Sequence, residues 1–407
     1  MNYKIAWRNI WRNPRRTIII MIAVVIGVWN MIFLGALMRG FEVGMINNGI
    51  STLTGNIQVH HKDYRNDPII ENSMNEPEQV EAVLEKTCPP ETGWTSRIRI
   101  NAVASNARHS GGITLVGIDP RREAKISFIG QAVTQGQYLA AEDTRGILVG
   151  KALVDNFKTK IGHKLVLMAP TLNGEIVSRA FRIVGIYSAE MQATEKRFVF
   201  ISMASARQML KLEKGVSEIS IALPNHNNNA FLANKLQTAL SPDTYEVRTW
   251  REVLPVLNAY LELSDGYILI WYVVVFIAMG FGIVNTTLMA VFERMREFGL
   301  LKALGMKPWL IIKEVLTESF LLLAIGTAVG NLLGFLSVLT LADHGIDLSA
   351  LAAGAEYAGI SRMLIPAIYP RDVITANLVV FVLGLLVSLY PAVKAAGFTP
   401  VEALSKT

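Results

Sequence analysis

Residues 17–38 read TIIIMIAVVIGVWNMIFLGALM, 22 positions without a charge. A helix over this stretch is about 33 Å long at about 1.5 Å per residue, enough to cross a hydrocarbon layer of about 30 Å. Three further apolar runs follow at residues 267–292, 310–342 and 373–393. Glu314 and Glu318 stand near the start of the third, so its first turns are expected at the interface. Uncharged runs of this length seldom arise in soluble cores. The composition agrees. Of 407 residues, 51% are hydrophobic and 18% charged, with mean hydropathy +0.35; a soluble domain carries about 25% charged residues. Disorder is excluded on the same numbers. Cys88 is the one cysteine. An intramolecular disulfide, a CxxC redox pair and a multi-cysteine zinc site are therefore excluded.

Lysine and arginine positions orient the runs. Lys4, Arg8, Arg12, Arg15 and Arg16 precede the first; Arg294, Arg296, Lys302, Lys307 and Lys313 lie between the second and third or just inside the latter. Residues 343–372 hold only Arg362 and Arg371 against four acids. Both termini and the middle loop are therefore expected in the cytoplasm, in a multi-pass membrane protein. Segments 1–16, 293–318 and 392–407 hold 12 basic and 5 acidic residues, a balance of +7 against +6 for the whole chain. The basic excess serves topology and anionic lipid rather than nucleic acid.

The expected order is a cytoplasmic amphipathic helix (1–16), a first span (17–38), an extracytoplasmic domain (39–266), a second span (267–292), a cytoplasmic coupling helix (293–309), a third span (310–342), a short outer loop (343–372), a fourth span (373–393) and a cytoplasmic tail (394–407). In the first, Tyr3, Trp7, Ile10 and Trp11 share one helical face and Lys4, Arg8 and Arg12 another, with Asn13-Pro14 as the stop. The apolar run after it exceeds the 7–15 residues of a signal peptide and is read as an uncleaved anchor.

Residues 39–266 alternate strand-like and helix-like runs at both ends, with strands dominating the middle. The fold class expected is an α-helical membrane protein of four spans, with a large α/β extracytoplasmic domain of two subdomains inserted between spans one and two. The second subdomain covers about 110–195. A helix starting near Arg251 is expected to run into the second span. Catalytic signals are few. His60 and His61 point to opposite faces of a strand and cannot easily share a metal. The string from Gly146 to Lys151 resembles a phosphate loop. It is one residue short between its glycines and has Ala152 where Ser or Thr would bind Mg²⁺. No metal site is expected.

The string ERMREFGLLKALGMKPWLI (residues 293–311) has two companions, WRNIWRNPRRT (7–17) and YPAVKAAGFTPVEAL (390–404). Together they resemble the FtsX-like permease family of ABC transporters, the mechanotransmission class. GNIQVHHKDY, LVGIDPRRE, GILVGKALVDNF and FRIVGIY resemble the outer domain of lipoprotein-releasing, Lol-type permeases. This resemblance implies a non-catalytic permease that pairs with a second permease, identical or related, and with two copies of a cytoplasmic ABC ATPase. It also implies lipoprotein cargo and a periplasmic carrier that receives it. The sequence has no Walker motif, so ATP and Mg²⁺ are expected on the ATPase as a separate polypeptide, with no cofactor on this chain.

The middle loop suits coupling on physical grounds too. Glu293, Arg294, Arg296, Glu297 and Lys302 mix charge; Phe298, Leu300, Leu301, Leu304 and Met306 offer apolar anchors; Gly299 and Gly305 mark bends or close approach. A short helix of this kind fits a groove of a partner and transmits force, whereas the plainer alternative is an interfacial turn. Within the spans, Gly326, Gly330 and Gly334 form a small-residue row for helix packing. Asn30, Asn285 and Asn331 must face another helix or a transport cavity. Met31, Phe33, Met38 and Met279 would suit a pliable cavity for acyl chains. A competing functional reading is a membrane scaffold whose stroke controls a periplasmic partner, such as a cell-wall hydrolase, and transports nothing.

Overall fold

The computed structural model describes residues 2–224, 229–348 and 363–399, with side chains from residue 6 onward. The side chains of Tyr3 and Lys4, part of the expected 343–372 loop, and the tail from residue 400 lie outside the described residues.

The chain opens with α1 (Asn2–Arg12) and α2 (Pro14–Gly49), then a π-helical turn (Ile50–Thr54). Next come β1 (Ile57–His61), α3 (Pro77–Thr87), β2 (Gly93–Ser105), β3 (Ser110–Ile118), α4 (Pro120–Glu123), α5 (Ile129–Ala132) and β4 (Val133–Gly136). They are followed by β5 (Gly146–Gly150), α6 (Lys151–Phe157), β6 (Lys164–Pro170), β7 (Ile176–Tyr187), α7 (Gln192–Arg197), β8 (Phe198–Ser202) and α8 (Met203–Leu210). After β9 (Glu218–Ala222), α9 (Asn229–Ala239), β10 (Tyr245–Thr249) and α10 (Trp250–Val253), the long helix α11 (Pro255–Glu293) begins. Then α12 (Met295–Ala303), α13 (Pro308–Ala342) and α14 (Pro370–Gly397) follow.

Four helices, α2, α11, α13 and α14, are long and apolar enough to cross a membrane. Each outruns the apolar stretch that marks it in the sequence, because polar turns extend a helix without adding hydropathy. Proline opens all four, at the first helical position, where its missing N–H would be unpaired anyway. Pro255 moves one expected start: the helix that runs into the second span begins there, and Arg251 stands on the short α10 before it. The short α10 has its own capping box from Thr249 and Glu252 and ends at Leu254, whose φ of −115° and ψ of 67° leave the helical region. The residue before a proline is pushed out of that region by contact with the ring.

The described residues form two units. The helical unit has a core of Val24, Val28, Met31, Tyr272, Phe276, Met279, Leu323 and Val380. A close seam joins α2 and α13. A Cβ on Gly326 would meet Val24 at 2.7 Å, one on Gly330 would meet Val28 at 2.7 Å, and one on Gly334 would meet Ile32 at 2.9 Å. The four-residue spacing puts three glycines on one stripe opposite three β-branched residues, so the backbones approach closely. Asn331 crosses from α13 to α14, donating to the Asn377 amide oxygen at 2.8 Å and accepting from its nitrogen at 3.2 Å.

The α/β unit is built on a ten-stranded sheet in the order β10-β1-β9-β2-β3-β8-β5-β7-β4, with β6 pairing β2 and β7. Strands from the two ends of the segment lie at one end of the sheet, and strands from 110 to 202 at the other. The long strand β2 belongs to both groups, and hydrogen bonding runs through it without a break. Strand alternation separates two faces. Ile57, Val59, Ile219, Ile221 and Val247 pack in one apolar cluster with Val80 and Leu84 of α3 and Leu232 and Leu236 of α9. The alternate residues Gln58, His60, Arg97, Glu218 and Ser220 are polar, and they are buried as well.

Candidate functional site

The segment between the second and third membrane helices folds as the nine-residue helix α12 rather than over the whole expected 293–309. Its end is a Schellman motif: Met306 N–H donates to the Leu301 carbonyl and Gly305 N–H to that of Lys302, both at 2.9 Å. Gly305 takes φ +93°, where a side chain would be strained. Pro308 then opens α13.

One face of α12 is sealed. Phe298 is buried with Val291, Ile311, Val315, Ala392 and Ala395, and Leu301 and Met306 pack against the same cluster. Gly299 is buried beside it. Lys302 reaches back to the end of α14, donating to the carbonyls of Ala396 at 2.8 Å and Phe398 at 2.7 Å. That completes two carbonyls which the helix end leaves open.

Arg294, just before α12, is also turned inward. It donates to Glu318 at 2.7 Å and Glu314 at 2.8 Å, and it lies over the Phe298 ring at 4.9 Å. The same two carboxylate oxygens accept from the Asn9 amide of α1, at 2.8 and 3.0 Å. The glutamates near the start of α13 are thus internal anchors. Around them, Glu293 pairs with Arg16 and accepts from Asn13 at 3.1 Å, and Arg12 pairs with Glu297 at 2.7 Å.

Of the expected coupling residues, Arg294, Phe298, Gly299 and Lys302 therefore hold the helix in place, Leu301 supports it, and Glu293 and Glu297 bind it to the α1 segment. Arg296, Leu304 and Gly305 remain exposed, joined by Leu300, Ala303 and Trp309. Leu304 is 78% exposed, Trp309 63% and Leu300 54%. Arg296, Leu300, Ala303 and Leu304 follow the three- and four-residue helical spacing, so they share one outward stripe, apolar after Arg296.

The expected cavity residues have different surroundings. Met31 and Met279 are buried in the helical core, and Met38 packs against it. A Cβ on Gly27 would meet the Met279 sulfur at 2.7 Å, so α2 and α11 close directly on each other. Phe33 stacks on Trp29 at 5.6 Å. The Asn30 amide oxygen is buried without a partner among the described residues, whereas Asn285 is exposed on α11.

The phosphate-loop lookalike is occupied by protein. Ala152 N–H at the start of α6 donates to Glu195 at 3.0 Å, and that carboxylate also accepts from the Ser188 hydroxyl and Ala189 N–H. A Cβ on Gly150 would meet the Glu195 backbone at 2.2 Å, so this glycine serves close packing of α7. His60 is buried on β1 and His61 turns outward, as strand alternation requires.

A family profile described as FtsX-like permease C-terminal matches residues 269–400, and one described as MacB-like periplasmic core domain matches residues 17–239. The chain belongs to the FtsX-like permease family of ABC transporters. The lipoprotein-releasing system transmembrane protein LolC of Xylella fastidiosa is 23% identical to this permease, with 79% of each chain covered. LolE of Haemophilus influenzae is 21% identical over 98% of each. The macrolide export ATP-binding/permease protein MacB of Wolinella succinogenes is 23% identical over 99% of this permease and 60% of its own length.

Sequence reasoning missed Trp309, Asn9 and the pairing of Glu314 and Glu318. The last left a trace, since two carboxylates one turn apart at the start of an apolar run require a cation nearby. Nothing local announces that Arg294 supplies it.

Proposed function

We propose that this FtsX-like permease uses ATP hydrolysis on a separate cytoplasmic ATPase to release lipoproteins, or other lipophilic cargo, from the outer leaflet of the inner membrane. Two ATPase copies would serve a pair of permeases, identical or related, and a periplasmic carrier would receive the cargo. The carrying observation is the apolar stripe of α12, Leu300 and Leu304 with Trp309 beside it, exposed on a helix whose other face is pinned to α1, α13 and α14. A stripe of this kind, backed by a rigid seat, suits a groove on a partner that pushes. The similarity to LolC and LolE supports lipoprotein as the cargo.

In this reading both chain ends and α12 face the cytoplasm. The α/β unit, of two subdomains inserted between the first and second spans, faces the periplasm. The cargo protein never crosses the bilayer; its acyl chains enter laterally between spans one and two. Since α2 and α11 close on each other through Gly27 and Met279, admission requires them to part. Asn285, exposed in an apolar span, gives α11 a polar contact for the second permease.

Replacing Leu300 and Leu304 together by Asp tests the reading. Both are exposed, so stability should change by less than about 0.5 kcal/mol each. The expected result is loss of ATPase co-purification and of lipoprotein release from membrane vesicles. Normal co-purification would remove α12 as the coupling element. Normal coupling with no lipoprotein released by the unmodified protein would remove the cargo assignment.

A further inference from the structure

The buried polar face of β1, β9 and β2 borders a cavity of about 210 Å³ in the α/β unit, whose walls include His60, Tyr64, Arg65, Arg99, Arg197 and Glu218. Register explains the grouping. His60 and Arg97 both stand opposite Glu218, on either side of it in the sheet, and Arg99 lies two residues on from Arg97 along β2. All therefore share one face. Burying so many charges is costly unless each is paired, and sequences of apolar residues fill such space more cheaply.

The charges can be counted through. Arg97 donates to Glu123 at 2.8 Å and to Glu218 at 3.1 Å, and Arg99 lies 3.7 Å from Glu218. Burial alone would raise the Glu218 carboxyl; Arg99 and Arg97 outweigh it and hold the group below the usual range. Two guanidinium groups and two carboxylates thus balance. Arg65 and Arg197 have no carboxylate partner among the described residues. Arg65 donates to the Glu252 carbonyl at 3.0 Å and Arg197 to the Thr114 hydroxyl at 3.3 Å, both neutral acceptors. His60, which Tyr64 covers by ring stacking at 5.4 Å, keeps its Nδ1 buried and unpartnered among the described residues. Its Nε2 faces the Gln58 amide oxygen at 2.9 Å. Burial pushes the ring below its usual range, against the pull of Glu218, so it adds no charge at neutral pH.

We propose that this cavity is a binding site for one phosphate-sized oxyanion, free or as the terminal group of a lipid headgroup, gripped by Arg65, Arg99 and Arg197. Guanidinium forks match the oxygens of phosphate. The volume is below the roughly 300–1,000 Å³ of sites for larger organic ligands, and a single anionic group suits it. The site is independent of the transport reading.

Isothermal titration of the full-length protein in phosphatidylcholine nanodiscs with inorganic phosphate tests this. One saturable site per chain is expected. The double variant R65Q/R197Q should weaken it by at least about tenfold, since two charge-assisted contacts are removed. Both side chains are exposed, so the unfolding temperature should not move. No saturable binding, or unchanged binding in the double variant, overturns the site. A second arm replaces part of the phosphatidylcholine by phosphatidic acid, whose headgroup ends in a phosphate. A lower apparent phosphate affinity then supports a lipid headgroup in the site, and an unchanged one supports a soluble anion.

Discussion

Arg294 holds Glu318 at 2.7 Å although the two stand 24 residues apart on different elements. The same guanidinium takes Glu314, and Asn9 of α1 bonds to both acids. Three segments that are distant in the chain are thereby fixed around one cation. Replacing Arg294 by Gln leaves two neighbouring carboxylates without it. The expected cost is about 2–4 kcal/mol, below the full value for a deeply buried pair because these groups keep some solvent access. The triple variant R294Q/E314Q/E318Q should recover most of the loss. Thermal unfolding in detergent measures both, and no recovery in the triple variant would show that charge is not the cause.

The glycine seam makes a sharper test of packing. Gly330→Ala drives a methyl to within 2.7 Å of Val28 and 3.0 Å of the Val25 carbonyl. About 1–3 kcal/mol of destabilisation is expected from overpacking. Gly282→Ala is the control, because nothing lies within 4 Å of its added carbon. It should be neutral or slightly stabilising through helix propensity. Equal effects of the two changes in unfolding experiments would argue against a close α2–α13 contact.

Acid should loosen the α/β unit at β1. The His60 ring in the folded protein binds its proton less readily than the usual value of 6.5, chiefly through burial. The unfolded chain therefore takes up the proton first as pH falls. Stability is full above the unfolded value and declines below it, by at most about 1.4 kcal/mol per pH unit. Glu218 is depressed as well, and adds a further loss below the usual carboxylate value of 4.5. Hydrogen exchange of β1 and β9 between about pH 7 and pH 5 reads the first effect. His60→Gln should flatten it; an equal slope in that variant would assign the acid sensitivity elsewhere.

Mechanical continuity along α11 can be tested by proline placement. Leu257 is only the third residue of that helix, where proline is tolerated because the amide has no partner within the helix. Leu261 lies a full turn deeper, and Leu261→Pro should cost about 3 kcal/mol locally. If force travels along α11, Leu261→Pro should abolish cargo release while ATPase binding persists, and Leu257→Pro should be mild. Equal release by both variants would exclude this route.

Topology is open to direct chemical measurement. Cys88 is a poor reporter, being half-buried, with its thiol pushed up by burial. Ile176→Cys, at a side chain 77% exposed, should react with an impermeant maleimide once the outer membrane is opened. Ala303→Cys, on the exposed stripe of α12, should react only after the inner membrane is permeabilised. The opposite pattern would invert the proposed orientation.

The membrane helices were legible because a run such as residues 17–38 carries its signal in composition, and Pro14, Pro308 and Pro370 mark starts without reference to the rest of the fold. Gly305 and Pro308 likewise announce the stop of α12 and the start of α13. The division of labour on α12 was not legible. Arg294 and Arg296 are identical side chains two positions apart, and only the positions of Glu314 and Glu318 decide that one turns inward. The polar face of the sheet was hidden for a related reason. Gln58 and His60 alternate with Ile57 and Val59 like a solvent-facing row, and their burial depends on segments remote in sequence. The break before Pro255 could have been read from the proline itself.

The paired amides of Asn331 and Asn377 restrict how α13 and α14 can move. Across the pair each side chain gives and takes one bond, and each also donates to a carbonyl of its own helix, Thr327 and Val373 respectively; a shift of a single residue along either axis would break both cross-helix bonds. Rotation about the line joining them breaks neither. The pair acts like the rivet of a pair of shears: the helices can swing, but they cannot slide lengthwise. Any stroke delivered to this bundle should therefore open and close it angularly, and a cross-link at that level should leave the swing intact.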